Sequence, residues 1–511
     1  MRTVFLLFDS LNRHALGCYG GTDVPTPNID RIAAKGVRFD NHWAGSLPCM
    51  PARREIHTGR LNFLHRSWGP LEPFDDSFAR ILDQTGVYSH LVTDHYHYWE
   101  EGGCGYHNQY SSFEFHRGQE KDTWKGVVDL PLTRWTKDHH PARVPKSRDA
   151  GLNSVNLTNR DYTEGEEDYS LVGSIDDAIA FLDTNRTADN WLLNVECFDP
   201  HEPFTAPERF KEAFKTNYDG PIHDWPIYDR VSDRPDEIDE VRANYAALLS
   251  MCDHYIGKLL DYFDANNLWE DTTLILTTDH GILLAEHDWW GKMRMPFYKE
   301  IAHIPLIICH PGFRAHAGEA RDALTQSIDI MPTLLDLHGV AIPGDARGQS
   351  LLPILANQPS THYACLFGMF GAAVNITDGR YTYFRYPDDF ATQELFEYTL
   401  MPTHMRSHFA VEEFEGATLS PPFDFTKGAP TLRLPARMGS DLSPLKGSSI
   451  EDATTALYDL RNDPGQTTPI HDEGVVADLT QKMIRIMQDH DAPGEAFRRL
   501  NLEVPTGLTH S

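Results

Sequence analysis

Thr273-Leu274-Ile275-Leu276-Thr277-Thr278, followed by Asp279-His280-Gly281, is the stretch on which the fold turns. Six β-forming or apolar residues run without a charge and stop at an acid, as a buried strand does where its carboxyl end meets a polar loop. Ahead of it, Val241, Tyr245, Leu248, Leu249, Cys252, Ile256, Leu259 and Phe263 fall at helical spacing and predict a helix from about Ile238 to Asn266. The same pairing of patterns recurs upstream. Val4–Phe8, Tyr88–Val92 and Trp191–Cys197 read as strands, Asn28–Lys35 behind Pro27 and Ser170–Asn185 as helices, and Ile304–Cys309 as one more strand. This alternation predicts an α/β fold in which helices sandwich a large, mostly parallel mixed sheet.

The pattern changes at about residue 360. Ala364–Phe370, Ala372–Ile376, Tyr381–Tyr386 and Leu457–Leu460 read as antiparallel strands, with a hairpin turn at Thr377-Asp378-Gly379 and a helix over about Glu473–Asp489. We expect residues 1–360 to form the larger α/β domain and residues 361–511 a smaller α+β domain with an antiparallel sheet. The segment from about 387 to 455 is long and rich in Pro and Gly. Such a stretch is a lid, a contact between copies or a surface excursion, and a homo-oligomer contact is looked for there.

The composition, 41% hydrophobic and 23% charged over 511 residues, is that of a soluble globular chain. No apolar run approaches bilayer length. The apolar run near Met1 is five residues long and ends at Asp9, so it reads as a buried strand rather than a leader, and the chain is expected in the cytoplasm with no membrane partner. Seven irregularly spaced cysteines suit a reducing compartment. A formal net charge of −30 argues against nucleic acid as a partner and disfavours a polyanionic substrate.

In open α/β sheets, ligands gather at the carboxyl ends of strands. Asp9 closes the first strand and Asp279-His280 another, and carboxylates with an adjacent imidazole suit Ca²⁺, Mg²⁺ or Mn²⁺. For Asp9 alone, a helix cap fits as well as a metal ligand. Past the strand Tyr88–Val92 comes Thr93-Asp94-His95-Tyr96-His97, and residues 95 and 97 are expected on one side of an extended segment. Asp199-Pro200-His201-Glu202-Pro203 sets a histidine between prolines. Cys49-Met50-Pro51-Ala52-Arg53 places an arginine one helical turn beyond a cysteine.

That last pattern, continuing through Thr58-Gly59-Arg60, resembles the signature of the type I, formylglycine-dependent sulfatases of the alkaline phosphatase superfamily. Gly17-Cys18-Tyr19-Gly20, Pro25-Thr26-Pro27-Asn28-Ile29-Asp30, the segment from Asp279-His280 to Lys292, and Leu457-Tyr458-Asp459-Leu460 with Asp463-Pro464-Gly465 match the family in its order. The resemblance implies a sulfatase/alkaline phosphatase-like fold, hydrolysis of a small-molecule sulfate ester, and one divalent metal, Ca²⁺ first, with Mn²⁺ or Mg²⁺ as alternatives. It also implies a formylglycine-generating enzyme that oxidises Cys49. By the same resemblance Asp9, Cys49, Asp279 and His280 hold the metal. Arg53 steadies the nucleophile, Lys292 and His95 bind sulfate, His201 or Lys292 protonates the leaving oxygen, and His97 is the base of the second step.

An aldehyde at position 49 would hydrate to a diol, one hydroxyl attacking sulfur and the other later expelling sulfate, which divides one hard displacement into two. Two departures from the common pattern stand out. Asp9 is followed by Ser10 rather than a second acid, and His95 occupies the usual lysine position. Phosphonate monoester hydrolases of the superfamily share the single acid and an Asp-His pair, so a phosphonate monoesterase or phosphodiesterase is the alternative reading. A non-catalytic binding protein retaining Cys49 as a thiol is the third. Tyr96, Tyr98, Trp99, Trp289 and Trp290 would either form a stacking wall for the leaving group or pack around the rim.

Overall fold

A computed structural model describes residues 1–146, 153–293, 296–388, 393–436 and 453–505. Its centre is an eight-stranded sheet. In chain order the strands are β1 (Arg2–Phe8), β2 (Val37–Phe39), β3 (Tyr88–Thr93), β4 (Ser112–Phe115), β5 (Trp191–Cys197), β6 (Thr272–Thr277), β7 (Leu306–Cys309) and β8 (Ala320–Arg321), and their spatial order is β8-β2-β7-β6-β1-β5-β3-β4. β1 lies in parallel register between β5 and β6, with Phe8 opposite Cys197 and Leu7 opposite Thr277. The strand read at Ile304–Cys309 is β7, and it runs antiparallel to both its neighbours. Three short strands, β2, β4 and β8, add to those read from the sequence.

The alternation of β1 builds the sandwich. Val4, Leu6 and Phe8 pack into one core with residues of α3 (Ser170–Thr184) and α4 (Pro235–Ala265), while α1 (Pro27–Lys35) supplies Ile29 and Ile32. Phe5 and Leu7 face the other core, with Met50 and Ile56 of α2 (Cys49–Thr58) and Met331 and Leu334 of α5 (Ile330–Leu337). Helices therefore cover both faces, as the sequence pattern predicts.

Towards the C-terminus, Cys365–Gly368, Val374–Thr377, Tyr381–Arg385 and Ala456–Asp459 form an antiparallel sheet in that order. Helix α6 (Glu473–Asp489) packs on it through Leu479, Met483 and Met487. This sheet shares cores with the first part of the chain: Phe367 and Phe384 cluster with Trp43 and Trp289, and Leu366 and Ile376 with Leu61 and Phe63. Within the long Pro- and Gly-rich segment from about 387 to 455, for which no strand was expected, Phe396–Thr399, Thr418–Ser420 and Thr431–Pro435 make a three-stranded antiparallel sheet. Residues 389–392 and 437–452 of that segment lie outside the described residues.

A buried ion pair pins the three-stranded sheet to the loop after α2. Arg66 donates to Glu72, to Thr399 Oγ1 (2.5 Å) and to the carbonyls of Met401 and Thr403 (2.8 Å each), and Glu72 accepts the Leu400 amide (2.8 Å). Removing one partner of such a pair leaves an uncompensated buried charge. Arg66→Ala is therefore expected to cost about 3–5 kcal/mol. Hydrogen–deuterium exchange should show residues 396–435 losing protection while β1, β5 and β6 keep theirs.

Candidate functional site: a carboxylate cluster at the strand ends

Four adjacent strands, β6, β1, β5 and β3, deliver polar groups to one edge of the sheet. Asp9 directly follows β1 and continues its ladder through Asp9 N–H to the Cys197 carbonyl (2.9 Å). Asp279 stands two residues past β6, Glu196 is the penultimate residue of β5, and His95 stands two residues past β3. Above them α2 begins at Cys49, with every one of its residues buried. Glu55 ties this helix to the loop before it by accepting the amides of Gly45 (2.9 Å) and Ser46 (2.5 Å), and burial lifts its carboxyl to about 8. The Asn62 side chain donates to the Pro51 carbonyl (2.7 Å). Residue 49 is thus fixed from both sides.

Arg53, one turn further on, carries the charge of the site. Its guanidinium bonds Glu196 through Nε and Asp279 Oδ2 through one terminal nitrogen (2.5 Å), and the other terminal nitrogen stands 3.1 Å from Asp9 Oδ2. It also donates to the Cys49 carbonyl (3.2 Å). Burial opposes its charge, yet the three carboxylates hold it protonated well above the ordinary range. For Asp9 the balance is similar. Burial alone would raise it, but Lys292 and Arg53 keep it well below the usual carboxylate range.

Lys292 comes from the stretch after β6 and donates to Ser10 Oγ (2.5 Å) and Asp9 Oδ1 (3.5 Å). Ser10 in turn donates to Asp9 Oδ1 (2.7 Å). A second acid at position 10 would sit where the Lys292–Ser10 bond now lies. Burial disfavours the Lys292 cation, but the neighbouring carboxylates of Glu202 and Asp9 raise its pKa above the ordinary value.

Cys49 Sγ lies 3.1 Å from His280 Nε2 and 4.0 Å from Asp9 Oδ1. Burial and then the Asp9 charge push its thiol well above the usual range. An unmodified Cys49 is therefore a neutral thiol and lacks the thiolate a cysteine nucleophile needs.

The sequence-derived residues fall into two groups. Asp9, Cys49, Asp279 and His280 each offer a ligand atom, all within 4.8 Å of one another. His280 Nδ1 sits 2.9 Å from the Gly281 carbonyl, which can only accept, so the lone pair is on Nε2, facing residue 49. Asp9 Oδ2 is wholly buried yet accepts no hydrogen bond. Around Cys49, four carboxylates (Asp9, Glu196, Asp279 and Glu202) meet two cations, Arg53 and Lys292. An anionic substrate would be repelled unless a cation cancelled the excess. The donor set, the Asp9 oxygen that has an ion-pair contact with Arg53 but no hydrogen bond, and the charge balance all fit a divalent ion.

His95, His97 and His201 ring this cluster. His95 Nε2 stands 3.8 Å from Asp9 Oδ2, neither ring nitrogen has a hydrogen bond, and burial with Arg53 and His97 keeps the ring neutral. The segment is not extended as expected. The strand stops at Thr93 and the chain turns, Tyr98 N–H closing on the His95 carbonyl (3.3 Å), so Tyr96–Trp99 is a 3₁₀ turn. The two rings are still neighbours, with centroids 5.2 Å apart. His201 Nδ1 bonds the Glu202 carbonyl (2.5 Å).

Sequence reasoning missed three acids. Glu196 was signalled by its isolation in the apolar strand Trp191–Cys197. Glu202, between His201 and Pro203, accepts from the Tyr228 hydroxyl and lies 3.8 Å from Lys292 Nζ. Glu100 holds His97. Of the aromatic residues, Tyr96, Tyr98, Trp289 and Trp290 are buried, and Trp99 is exposed and stacked on Phe115. Tyr98 donates to Glu196 (2.8 Å) and Tyr96 to Glu120 (2.5 Å). At these four positions packing and hydrogen bonding account for the aromatics.

The "Sulfatase" family model matches residues 2–340, and that described as "N-sulphoglucosamine sulphohydrolase, C-terminal" matches residues 285–418. An arylsulfatase of Clostridium perfringens is 25% identical over 390 residues, spanning 70% of this chain and 79% of that protein. Among solved structures, a protein in complex with its substrate D-glucosamine-2-N,6-O-disulfate superposes with a TM-score of 0.64 at 17% identity, over 97% of this chain and 99% of that one. The phosphonate monoester hydrolase of Agrobacterium radiobacter gives 0.63 at 18% identity, over 96% of each chain. The fold is shared with both.

Replacing Arg53 by Met leaves Asp9, Glu196 and Asp279 without their common cation. We expect a loss of about 3–5 kcal/mol or more, read as a lowered unfolding midpoint in urea. Arg53→Lys should recover only part of it, because an ammonium cannot fork to three carboxylates.

Proposed function

The chain belongs to the sulfatase family and is a sulfuric ester hydrolase, and on that premise we propose that it acts through formylglycine formed from Cys49 beside one divalent ion. The observation that carries this reading is Cys49 itself. It is a neutral, buried thiol, 3.1 Å from His280 and 4.0 Å from Asp9, useless as a thiolate but placed at the head of a helix inside a carboxylate cluster. Asp9, Asp279, His280 and residue 49 would hold the ion. Calcium is our first assignment, with manganese the comparison that the His280 nitrogen calls for.

When present, the ion would draw charge from the sulfuryl oxygens while the oxidised side chain supplies the attacking hydroxyl. The chain's own residues do the rest. Lys292 and the neutral His95 bind sulfate oxygens, and His95 has no competing hydrogen bond to give up. Arg53 keeps Asp9 and Asp279 in place. His201 gives its Nδ1–H to the Glu202 carbonyl, so its imidazolium form would present Nε2–H to the departing oxygen, and Lys292 is the other donor there. His97, whose Nδ1–H is given to Glu100, accepts the proton of the second step at Nε2. Tyr228 donates to Glu202, and Lys292 Nζ stands 3.8 Å from its other oxygen, so Glu202 is fixed beside both proton donors.

Ser10 in place of a second acid favours one comparison, that with phosphonate monoester substrates. Turnover of an aryl sulfate and an aryl phosphonate should be measured side by side. We expect the sulfate to be preferred, and a large preference for the phosphonate would overturn that order. Mass spectrometry of the Cys49 peptide from the native host should show the aldehyde in place of the thiol, and a wholly unmodified thiol would count against the mechanism. Cys49→Ala should lower kcat about 10³-fold or more, and Asp279→Ala should abolish calorimetric binding of calcium and manganese.

A further inference from the structure

The turn between Met401 and His408 is separated from His97 by some three hundred residues of sequence, yet it is built against the His97 loop. Gly102 N–H bonds the Met405 carbonyl (2.9 Å), and a side chain at Gly102 would place its Cβ 2.5 Å from Met405 Cα. Met405 itself is buried in the same core as Tyr98. The next residue, Arg406, points back toward the site. Its Nε donates to Glu100 Oε1 (2.6 Å) and a terminal nitrogen donates to the Tyr96 hydroxyl (2.9 Å). Glu100 Oε2 accepts Nδ1–H of His97 (2.5 Å), and the Tyr96 hydroxyl donates to Glu120 Oε2 (2.5 Å).

One guanidinium therefore spans both sides of the His97 turn. We propose that Arg406 is a positioning residue for the reaction: by gripping Glu100 and Tyr96 it fixes the ring of His97, so the C-terminal turn completes the active site. This rests on the reading of His97 as the base of the second step. A bidentate carboxylate between Arg and His sets both the tautomer and the orientation of the ring.

The charges around His97 give the inference a sign. Glu100 from its own turn and Glu120 raise its pKa, Arg406 lowers it, and burial lowers it most, while the neutral rings of His95, Trp68, Tyr96 and Phe198 complete its surroundings. Loss of the Arg406 cation must raise the pKa of His97. Loss of the Glu100 anion must lower it.

The test is the pH profile of kcat at saturating aryl sulfate for the full chain and the variants Arg406→Gln, Arg406→Lys, Glu100→Gln and His97→Ala. Arg406→Gln is expected to lower kcat about tenfold and to move the acid limb up by about 0.5–1 pH unit. Arg406→Lys should restore most of both, and Glu100→Gln should move the limb down. Opposite shifts of this kind are not produced by loosened packing. If Arg406→Gln fails to fold, the Lys and Glu100 variants carry the comparison. A lowered kcat with an unmoved acid limb, or a wild-type profile in Arg406→Gln, overturns the role of Arg406. If His97→Ala keeps the wild-type acid limb, the assignment of His97 as base has failed instead.

Discussion

One guanidinium shared by three buried carboxylates is the interaction on which the rest depends. Asp9, Glu196 and Asp279 reach the same edge because β1 lies between β5 and β6, and three such carboxylates gathered away from water are costly without a shared cation. Arg53 makes the arrangement tolerable. Its planar fork addresses all three at once, which an ammonium could not do. Because it sits four residues after Cys49 on the same helix, holding the carboxylates also fixes where residue 49 stands.

The same interaction reconciles a strongly acidic chain with an anionic substrate. The formal charge of −30 is distributed over the whole protein, but catalysis is governed by what lies within a few ångströms of sulfur. There, Lys292 and Arg53 are held charged by their neighbours, while the nearby histidines His95 and His280 are held neutral by burial. A fixed charge pattern of this kind needs no rearrangement when charge develops.

Much of this was legible in the sequence. Strands ending in acids, and the alternation with helices, pointed to the layered fold and to Asp9 and Asp279-His280 at strand ends, while the resemblance to the sulfatases singled out Cys49, Arg53 and Lys292. The reversed direction of β7 was not legible, since a four-residue apolar strand looks the same either way. Glu196, Glu202, Glu100 and Arg406 were missed for another reason. Their roles come from partners far away in sequence, Glu196 meeting Arg53 across 143 residues and Arg406 meeting Glu100 across 306. His95 and His97 were placed together for the wrong local reason, an extended segment where the chain makes a 3₁₀ turn.

The account is tested most directly by anomalous diffraction from a crystal of the active protein soaked in Mn²⁺. It predicts one strong peak bounded by Asp9 Oδ2, Asp279, His280 Nε2 and the side chain of residue 49, beside an Arg53 still bonded to Glu196. A saturating soak that leaves this position without a peak, or places the ion away from those four residues, would contradict it.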